Sequence, residues 1–268
     1  MKSGTTTLET VLAQHPDISV PVEKETTVFN GSPGARDFAA RLLEARTTVA
    51  AEVSTGYMQH PWVTSDPGQA VDLLGDDLRV IAVLREPLSR AKSHWRHWEQ
   101  LGRNIGSMHE SLTDRDSAHL AFSRYAEQLG RWAAVLPEDH ILVLRLEDYE
   151  LNPSAWQSRI TDFLAISPFS GTSVVRANTA NDRVVSRGAS RRVSQSTLYR
   201  RWVRPLVPAQ GRRAVAQVLG AKRGGGEAPQ SLSHGDVQTF YELVHDDAQV
   251  LQQSWPHAVW DTPDDVKG

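Results

Sequence analysis

Three short, continuous apolar runs constrain the fold of this chain most. Arg79-Val80-Ile81-Ala82-Val83-Leu84 is the clearest; Thr47-Thr48-Val49-Ala50-Ala51-Glu52 and His140-Ile141-Leu142-Val143-Leu144-Arg145 are the others. A strand with one wet face alternates apolar and polar residues. These do not alternate, so they read as strands covered on both faces, as in a parallel sheet. Helical patterns lie between them. Residues 38–45 form a short one. Residues 87–98 open on Pro87, which a first helical turn tolerates, and set Leu88, Ala91, Trp95 and Trp98 along one face. Residues 125–136 and 155–164 supply two more. Strands alternating with helices predict an α/β fold, a central parallel sheet flanked by helices.

With 268 residues, 40% of them hydrophobic, the chain can bury a substantial core. It reads as a single domain: a core over about 1–170, a basic region over 171–232 and a closing helix over 233–262. Within the basic region a helix is expected near residues 198–207. The closing helix carries Val237, Phe240, Tyr241, Val244 and Leu251 at helical spacing. A formal net charge of -3 offers no general attraction to a polyanion, so no nucleic-acid partner is expected. The distribution is uneven, because residues 183–223 hold eleven Lys/Arg and no Asp or Glu. The absence of Cys excludes disulfides, a thiol nucleophile and a Cys-based metal site, and fits a reducing, cytoplasmic setting. No apolar run approaches the ~20 residues of a membrane span.

The chain opens Met1-Lys2-Ser3-Gly4-Thr5-Thr6-Thr7-Leu8. Leu8, Val11 and Leu12 follow at i, i+3, i+4, so a small Gly, a Lys and a run of hydroxyls lead directly into a helix. A helix N-terminus presents unpaired N–H groups and partial positive charge, and Lys2 adds a full one, which suits an anionic ester. Lys2 precedes Gly4, whereas in nucleoside-triphosphate loops the Lys follows the glycines. Such loops follow a buried strand, and none is encoded ahead of this one.

A second anion motif follows the clearest strand: Arg85-Glu86-Pro87-Leu88-Ser89-Arg90-Ala91-Lys92-Ser93. Arg85 falls at a strand end, the edge where open α/β sheets bind ligands. Ser93 lies about 9 Å along the helix that starts at Pro87. A guanidinium fork and a hydroxyl can grip one phosphate from two sides. The alternative is a surface ion pair of Arg85 with Glu86 or Glu99, and a solvated Ser93. Two further segments complete the set. Lys24-Glu25 precedes Thr26-Thr27-Val28-Phe29, and Glu52-Val53-Ser54-Thr55-Gly56-Tyr57 ends a strand.

In this order and at this spacing, these segments resemble the PAPS-dependent sulfotransferases (PAPS, 3′-phosphoadenosine 5′-phosphosulfate), of the glycan-modifying and bacterial sulfotransferase-domain type. The resemblance covers about residues 1–165 and returns at the final helix and Trp260. It implies a P-loop NTPase-like three-layer fold whose first strand is missing at the N-terminus. It implies PAPS as co-substrate, no catalytic metal, and transfer of a sulfuryl group to an acceptor hydroxyl of a glycan, glycolipid or secondary metabolite. By resemblance Lys2, Ser3, Gly4, Thr5, Thr6 and Thr7 form the 5′-phosphosulfate loop, and Arg85 and Ser93 hold the 3′-phosphate. Lys2 would neutralise charge as the sulfuryl group leaves. Glu25 matches the carboxylate that glycan-modifying members use as base, and Lys222, Arg223 and Gly224 match a basic loop that closes over the nucleotide. The other readings of the basic segment are a clamp on an anionic acceptor, peripheral contact with an anionic membrane, and a solvated helix face.

One departure is Val53, where glycan-modifying relatives often carry Lys. Tyr57 reads equally as core or substrate contact. His94 and His97, at i and i+3, are expected on the helix surface or facing substrate, without the ligand set of a metal site. Family members carry an apolar strand directly before the residue that Lys2 matches, so the true start is expected upstream of Met1; the alternative is a weakened enzyme. Two rival readings remain: a P-loop kinase-like phosphotransferase, and a catalytically impaired protein that only binds an anion or nucleotide.

Overall fold

A computed structural model describes residues 2–21, 23, 25–103, 106–170 and 231–261. The basic segment 183–223, the helix expected near 198–207, and with them Lys222, Arg223 and Gly224, lie outside the described residues, as does Lys24. The chain divides into two compact units, the larger comprising Met1–Trp95, Gly106–Ala177 and Leu232–Gly268. Of the smaller unit, the described part is chiefly a helix end, where the Arg103 guanidinium lies 4.6 Å over the Trp98 ring. All that follows concerns the larger unit.

Helix α1 (Thr5–Leu12) leads to strand β1 (Ile18–Ser19), helix α2 (Gly34–Leu43) and strand β2 (Val49–Ala50). Helix α3 (Pro67–Leu74), strand β3 (Val80–Leu84) and helix α4 (Pro87–Gln100) follow. Then come the short α5 (Met108–Thr113) and α6 (Ala118–Ala121), α7 (Tyr125–Ala133), strand β4 (Ile141–Arg145), α8 (Leu146–Leu151) and α9 (Pro153–Leu164). Helix α10 (His234–Ser254) closes the unit. The result is an α/β fold.

β3 and β4 run parallel over five residues, from Val80 opposite Ile141 to Leu84 opposite Arg145. Their continuous hydrophobicity is explained by cover on both faces. Ala82, Leu84, Ile141 and Val143 face a cluster with Phe29, Phe38, Leu129, Trp132, Leu251 and Trp255. Val83 and Leu144 face the opposite cluster, with Leu8, Val11, Leu12, Leu146, Trp156 and Ile160. β1 and β2 form a second parallel ladder, Ile18 opposite Val49 and Ser19 opposite Ala50. The strand expected over 47–52 is thus regular for only two residues, because its ladder partner is no longer than that.

Among the described residues the two ladders do not pair with each other. Between them lies a cavity of about 570 Å³, lined by Val49, Ala51 and Val53 on one side and Val80, Ile81 and Val83 on the other. Leu8 and Leu12 of α1 also line it.

Local signals fix the helix ends. Asn152 accepts the Ala155 N–H at 3.1 Å ahead of Pro153, capping α9. Ser233 and Asp236 form a reciprocal capping box at the start of α10. Among the described residues no helix is long and apolar enough to cross a membrane.

Candidate active site

The N-terminal loop turns on Gly4, whose φ of 98° lies in the left-handed region that glycine favours. A Cβ at this position would sit 2.6 Å from Leu146 Cδ1, so the loop is pressed against the start of α8. The Leu8 N–H closes the first turn onto the Gly4 carbonyl at 2.9 Å. The first-turn amides of Thr5, Thr6 and Thr7 precede the helical ladder and have no acceptor within it. The side chains differ in placement. Ser3 is buried and hydrogen-bonds Tyr125; Thr5 is half-buried and lines the cavity; Thr6 is exposed. Thr7 is 1% exposed, and its Oγ1 has no partner in the structure. Its side chain therefore belongs to the inner face of α1, and only its backbone amide is placed to meet a ligand.

Arg85 directly follows β3. The Tyr125 hydroxyl donates to its carbonyl at 2.6 Å, and the guanidinium carries no hydrogen bond or ion pair among the described residues. Glu86, the alternative partner, is occupied otherwise. It accepts the N–H groups of Leu88 and Ser89 at 2.7 and 2.6 Å, capping α4, and receives the Tyr241 hydroxyl at 3.0 Å. Glu147 accepts the Glu86 N–H at 2.9 Å and the Trp260 indole N–H at 3.2 Å. Residues of the C-terminal helix and its extension thus brace the ends of β3 and β4. Ser93 is half-buried on α4.

Arg90 is fully buried. Its Nε and Nη2 donate to Ser123 Oγ at 3.0 and 2.7 Å, and Nη2 also reaches the His119 carbonyl. Burial lowers its pKa to about 10. His119, buried beside that cation, is brought down to about 4, first by burial and then by Arg90. His94 corrects the surface reading: it is buried at 0% exposure, stacked on Phe122 at 5.4 Å, with its Nδ1 3.1 Å from that of His119. It is a packing residue.

Glu25 sits in a loop bound to the exit of β2 by three consecutive side chains. Thr55 donates its N–H and its hydroxyl to Glu25 Oε2 at 2.8 and 2.7 Å. The Thr26 hydroxyl donates to Glu52 Oε1 at 2.6 Å, and the Thr27 and Ser54 hydroxyls lie 2.8 Å apart. Glu25 and Thr27 have φ of 54° and 42°, so the backbone itself is turned to allow this docking. Gly56 permits the close approach, since a Cβ there would lie 2.1 Å from Thr27 Oγ1. Gln59 Nε2 donates to Thr55 Oγ1 at 2.9 Å, fixing the hydroxyl that points at Glu25. Burial pushes the Glu52 carboxyl above its usual range, against the hydrogen bond from Thr26, with the Glu25 charge adding to the rise. Tyr57 packs between Phe29 and Trp132, ring centroids 6.1 and 6.0 Å away.

Ser3, Thr5, Glu52, Ser54 and Thr55 all line the same cavity, so the N-terminal loop and the docking partners of Glu25 share one space. Ser3 is joined through Tyr125 to the backbone of Arg85. Sequence reasoning did not single out Tyr125, Thr55, Gln59 or Glu52 for these contacts. The only available signal was that Tyr125 opens a helix and Glu52 ends a strand.

The geometry gathers the N-terminal loop, the end of β3 and the Glu25 loop around one cavity of an α/β fold. The sulfotransferase domain family model matches residues 1–181, and the chain belongs to that family. Mouse heparan sulfate glucosamine 3-O-sulfotransferase 3A1 is 26% identical over 178 residues, 62% of this chain and 44% of that protein. The bifunctional heparan sulfate N-deacetylase/N-sulfotransferase of Drosophila melanogaster is 26% identical over 198 residues, 62% of this chain and 19% of that one. The chain therefore spans less than half the length of either. The crystal structure of a sulfotransferase from Alicyclobacillus acidocaldarius shares the fold, with a TM-score of 0.56, 20% identity, and 91% and 92% of the two chains covered. Val53 is thus a local departure in a chain similar to heparan enzymes.

Proposed function

We propose that this protein is a PAPS-dependent sulfotransferase that moves the sulfuryl group to an acceptor hydroxyl, and that the acceptor is a carbohydrate. The observation that carries this is the bridge Ser3–Tyr125–Arg85, which joins the two anion-gripping segments at one sheet edge. A donor with a phosphate at each end of its ribose needs two such grips at a fixed separation. The fold behind them is read as P-loop NTPase-like and three-layered.

The residues fit the donor. The amides at the start of α1 suit the 5′ phosphate and its sulfuryl group, and Gly4 lets the backbone approach. The Arg85 guanidinium, free of ion pairs among the described residues, and the Ser93 hydroxyl suit the 3′-phosphate. When bound, PAPS supplies the activated sulfuryl group. Lys2 balances the negative charge that builds on the bridging oxygen as the sulfuryl group departs, an electrostatic role suited to a loose, in-line transfer. Glu25 takes the proton from the acceptor hydroxyl. Its Oε2 is held by Thr55, which orients the carboxylate and leaves Oε1 for the substrate. The carbohydrate acceptor follows from the heparan-modifying relatives.

The test is transfer of label from PAPS across a panel of glycan, glycolipid and small phenolic acceptors, with calorimetry of adenosine 3′,5′-bisphosphate against ATP. The reading expects bisphosphate binding and labelled glycan. Tight ATP binding without bisphosphate binding would point to a phosphotransferase instead, and bisphosphate binding without transfer to any acceptor would point to a binding protein.

A further inference from the structure

We infer that Asp247 is a positioning residue for the donor site: reaching across from α10, it fixes the first turn of α7, and with it the Tyr125 hydroxyl that joins the N-terminal loop to the end of β3. Its bearing on donor binding rests on the sulfotransferase reading; the positioning itself does not.

Asp247 stands where the pattern of its own helix calls for an apolar residue. Phe240, Val244 and Leu251 form the buried face of α10, and position 247 falls on it, three residues after Val244 and four before Leu251. A half-buried carboxylate is costly there, and burial pushes its pKa above the usual range. Among the described residues no ion pair offsets that cost. Backbone amides do. Oδ2 accepts the Ala126 N–H at 3.0 Å and Oδ1 the Glu127 N–H at 2.8 Å. These are first-turn amides of α7, whose own N-cap residue, Arg124, makes no side-chain capping bond. Asp247 thus supplies, from more than a hundred residues downstream, the cap that α7 lacks, and its charge complements the positive end of that helix.

Tyr125 is the first residue of α7. Two bonds to neighbouring amides set both the height and the rotation of the turn that carries it. Its hydroxyl lies 2.6 Å from the Arg85 carbonyl, and a shift of about 1 Å away would take it out of hydrogen-bond range. The peptide group between Arg85 and Glu86 is gripped at both ends, by Tyr125 on the carbonyl and by Glu147 on the N–H at 2.9 Å. The body of α7 is tied elsewhere. Gln128 exchanges two hydrogen bonds with the His60 backbone, and Arg131 donates to Ser65. Those ties hold the helix in the fold without Asp247 and leave its first turn to Asp247.

The experiment compares the native protein with Asp247→Ala, Asp247→Asn and Tyr125→Phe. Without ligand, hydrogen exchange is read at the amides of Ala126 and Glu127, which Asp247 holds directly. It is also read at the amides of Leu8 and Glu86, which Asp247 reaches through Tyr125. Asp247→Ala is expected to speed exchange about tenfold or more at all four. Asp247→Asn, which keeps one acceptor oxygen and the side-chain shape, is expected to show the same pattern at about threefold. With donor, Asp247→Ala is expected to raise KM for PAPS about tenfold and to change kcat less than about threefold. In the Tyr125→Phe background it should add less than about twofold, because both substitutions act through one hydroxyl. Faster exchange confined to Ala126 and Glu127, or effects on donor KM that simply multiply with those of Tyr125→Phe, would reduce Asp247 to a cap for stability and overturn the inference. If the native protein binds no adenosine 3′,5′-bisphosphate, the sulfotransferase reading fails by itself, and exchange at Leu8 and Glu86 still decides the positioning.

Discussion

The Tyr125 hydroxyl donates a 2.6 Å hydrogen bond to the backbone carbonyl of Arg85. Tyr125 is fully buried and the same hydroxyl meets Ser3, so one phenol spans the two segments proposed to hold the donor. Tyr125→Phe leaves the Arg85 carbonyl without its donor, a loss of about 1–3 kcal/mol. Adenosine 3′,5′-bisphosphate is expected to bind roughly 5- to 50-fold more weakly, as titrated by calorimetry. Unchanged affinity with a lowered melting midpoint would show that the phenol serves stability alone.

Thr55 gives Glu25 both its N–H and its hydroxyl. Glu25→Gln is expected to reduce turnover by about 10²- to 10⁴-fold, the usual contribution of a general base, with donor affinity nearly unchanged. Thr55→Val, which removes one of the two bonds and the acceptor for Gln59, should cost about tenfold in kcat, and Thr55→Ser should restore it. Full turnover in Glu25→Gln would dismiss Glu25 as the base. Lys2→Ala is expected to abolish transfer, and Arg85→Ala to act mainly on donor binding.

Burial raises the Glu52 carboxyl in the folded protein. The folded state then holds this proton more tightly than the unfolded chain, so its contribution to stability is present at low pH and is lost as pH rises through the raised value. Glu52→Gln removes that dependence. The stability of the variant relative to the native protein should therefore increase with pH upward from the ordinary carboxylate range. Urea titrations at a series of pH values measure this, and parallel curves would refute it.

His119 behaves in the opposite sense. Its folded pKa of about 4 lies below the ordinary value of 6.5. The unfolded chain binds more protons between these values, so stability falls as pH drops from 6.5 towards 4, by up to about 3 kcal/mol. His119→Asn cannot be protonated and should lose that part of the acid slope. An unaltered slope between pH 7 and 4.5 would assign acid sensitivity to other groups.

Gly4 combines a φ of 98° with a Cβ position 2.6 Å from Leu146. Gly4→Ala should cost about 1–2 kcal/mol for the left-handed backbone alone, and more for the contact. Adding Leu146→Ala should relieve the contact but not the backbone cost. A double-mutant cycle on melting midpoints separates the two, and strict additivity would mean that the side chains do not meet.

Much of this was legible in the chain. Residues 79–84 and 140–145 read as doubly covered strands because burial on both faces removes the alternation a half-wet strand must show, and both are strands. Residues 47–52 were less faithful, since ladder length depends on a partner, and β1 has only Ile18 and Ser19 to offer. Helix α3 carried readable signals, Asp66 before Pro67 and Gly75 after Leu74, but its apolar pattern is short. The candidate site was legible only where its signals are local. Gly4 and Arg85 announce a left-handed turn ahead of a helix and a strand-end cation, and both lie where the sequence puts them. Tyr125 could not be read the same way, because its partner is a backbone carbonyl 40 residues earlier and any residue type supplies one. His94 was misread for a related reason: two histidines at i and i+3 look alike in sequence, and only the seating of Phe122 and His119 shows that one is interior.

Tyr241 and Trp260, which brace Glu86 and Glu147, come well after β4 in the order of synthesis. A ribosome adding about 5–20 residues per second needs several seconds to pass from β4 to Trp260. Through that interval the ends of β3 and β4 are present without their braces. The nascent chain can thus carry the N-terminal loop, Arg85 and Ser93 before it can hold them in shape, and their final geometry waits on the C-terminal helix.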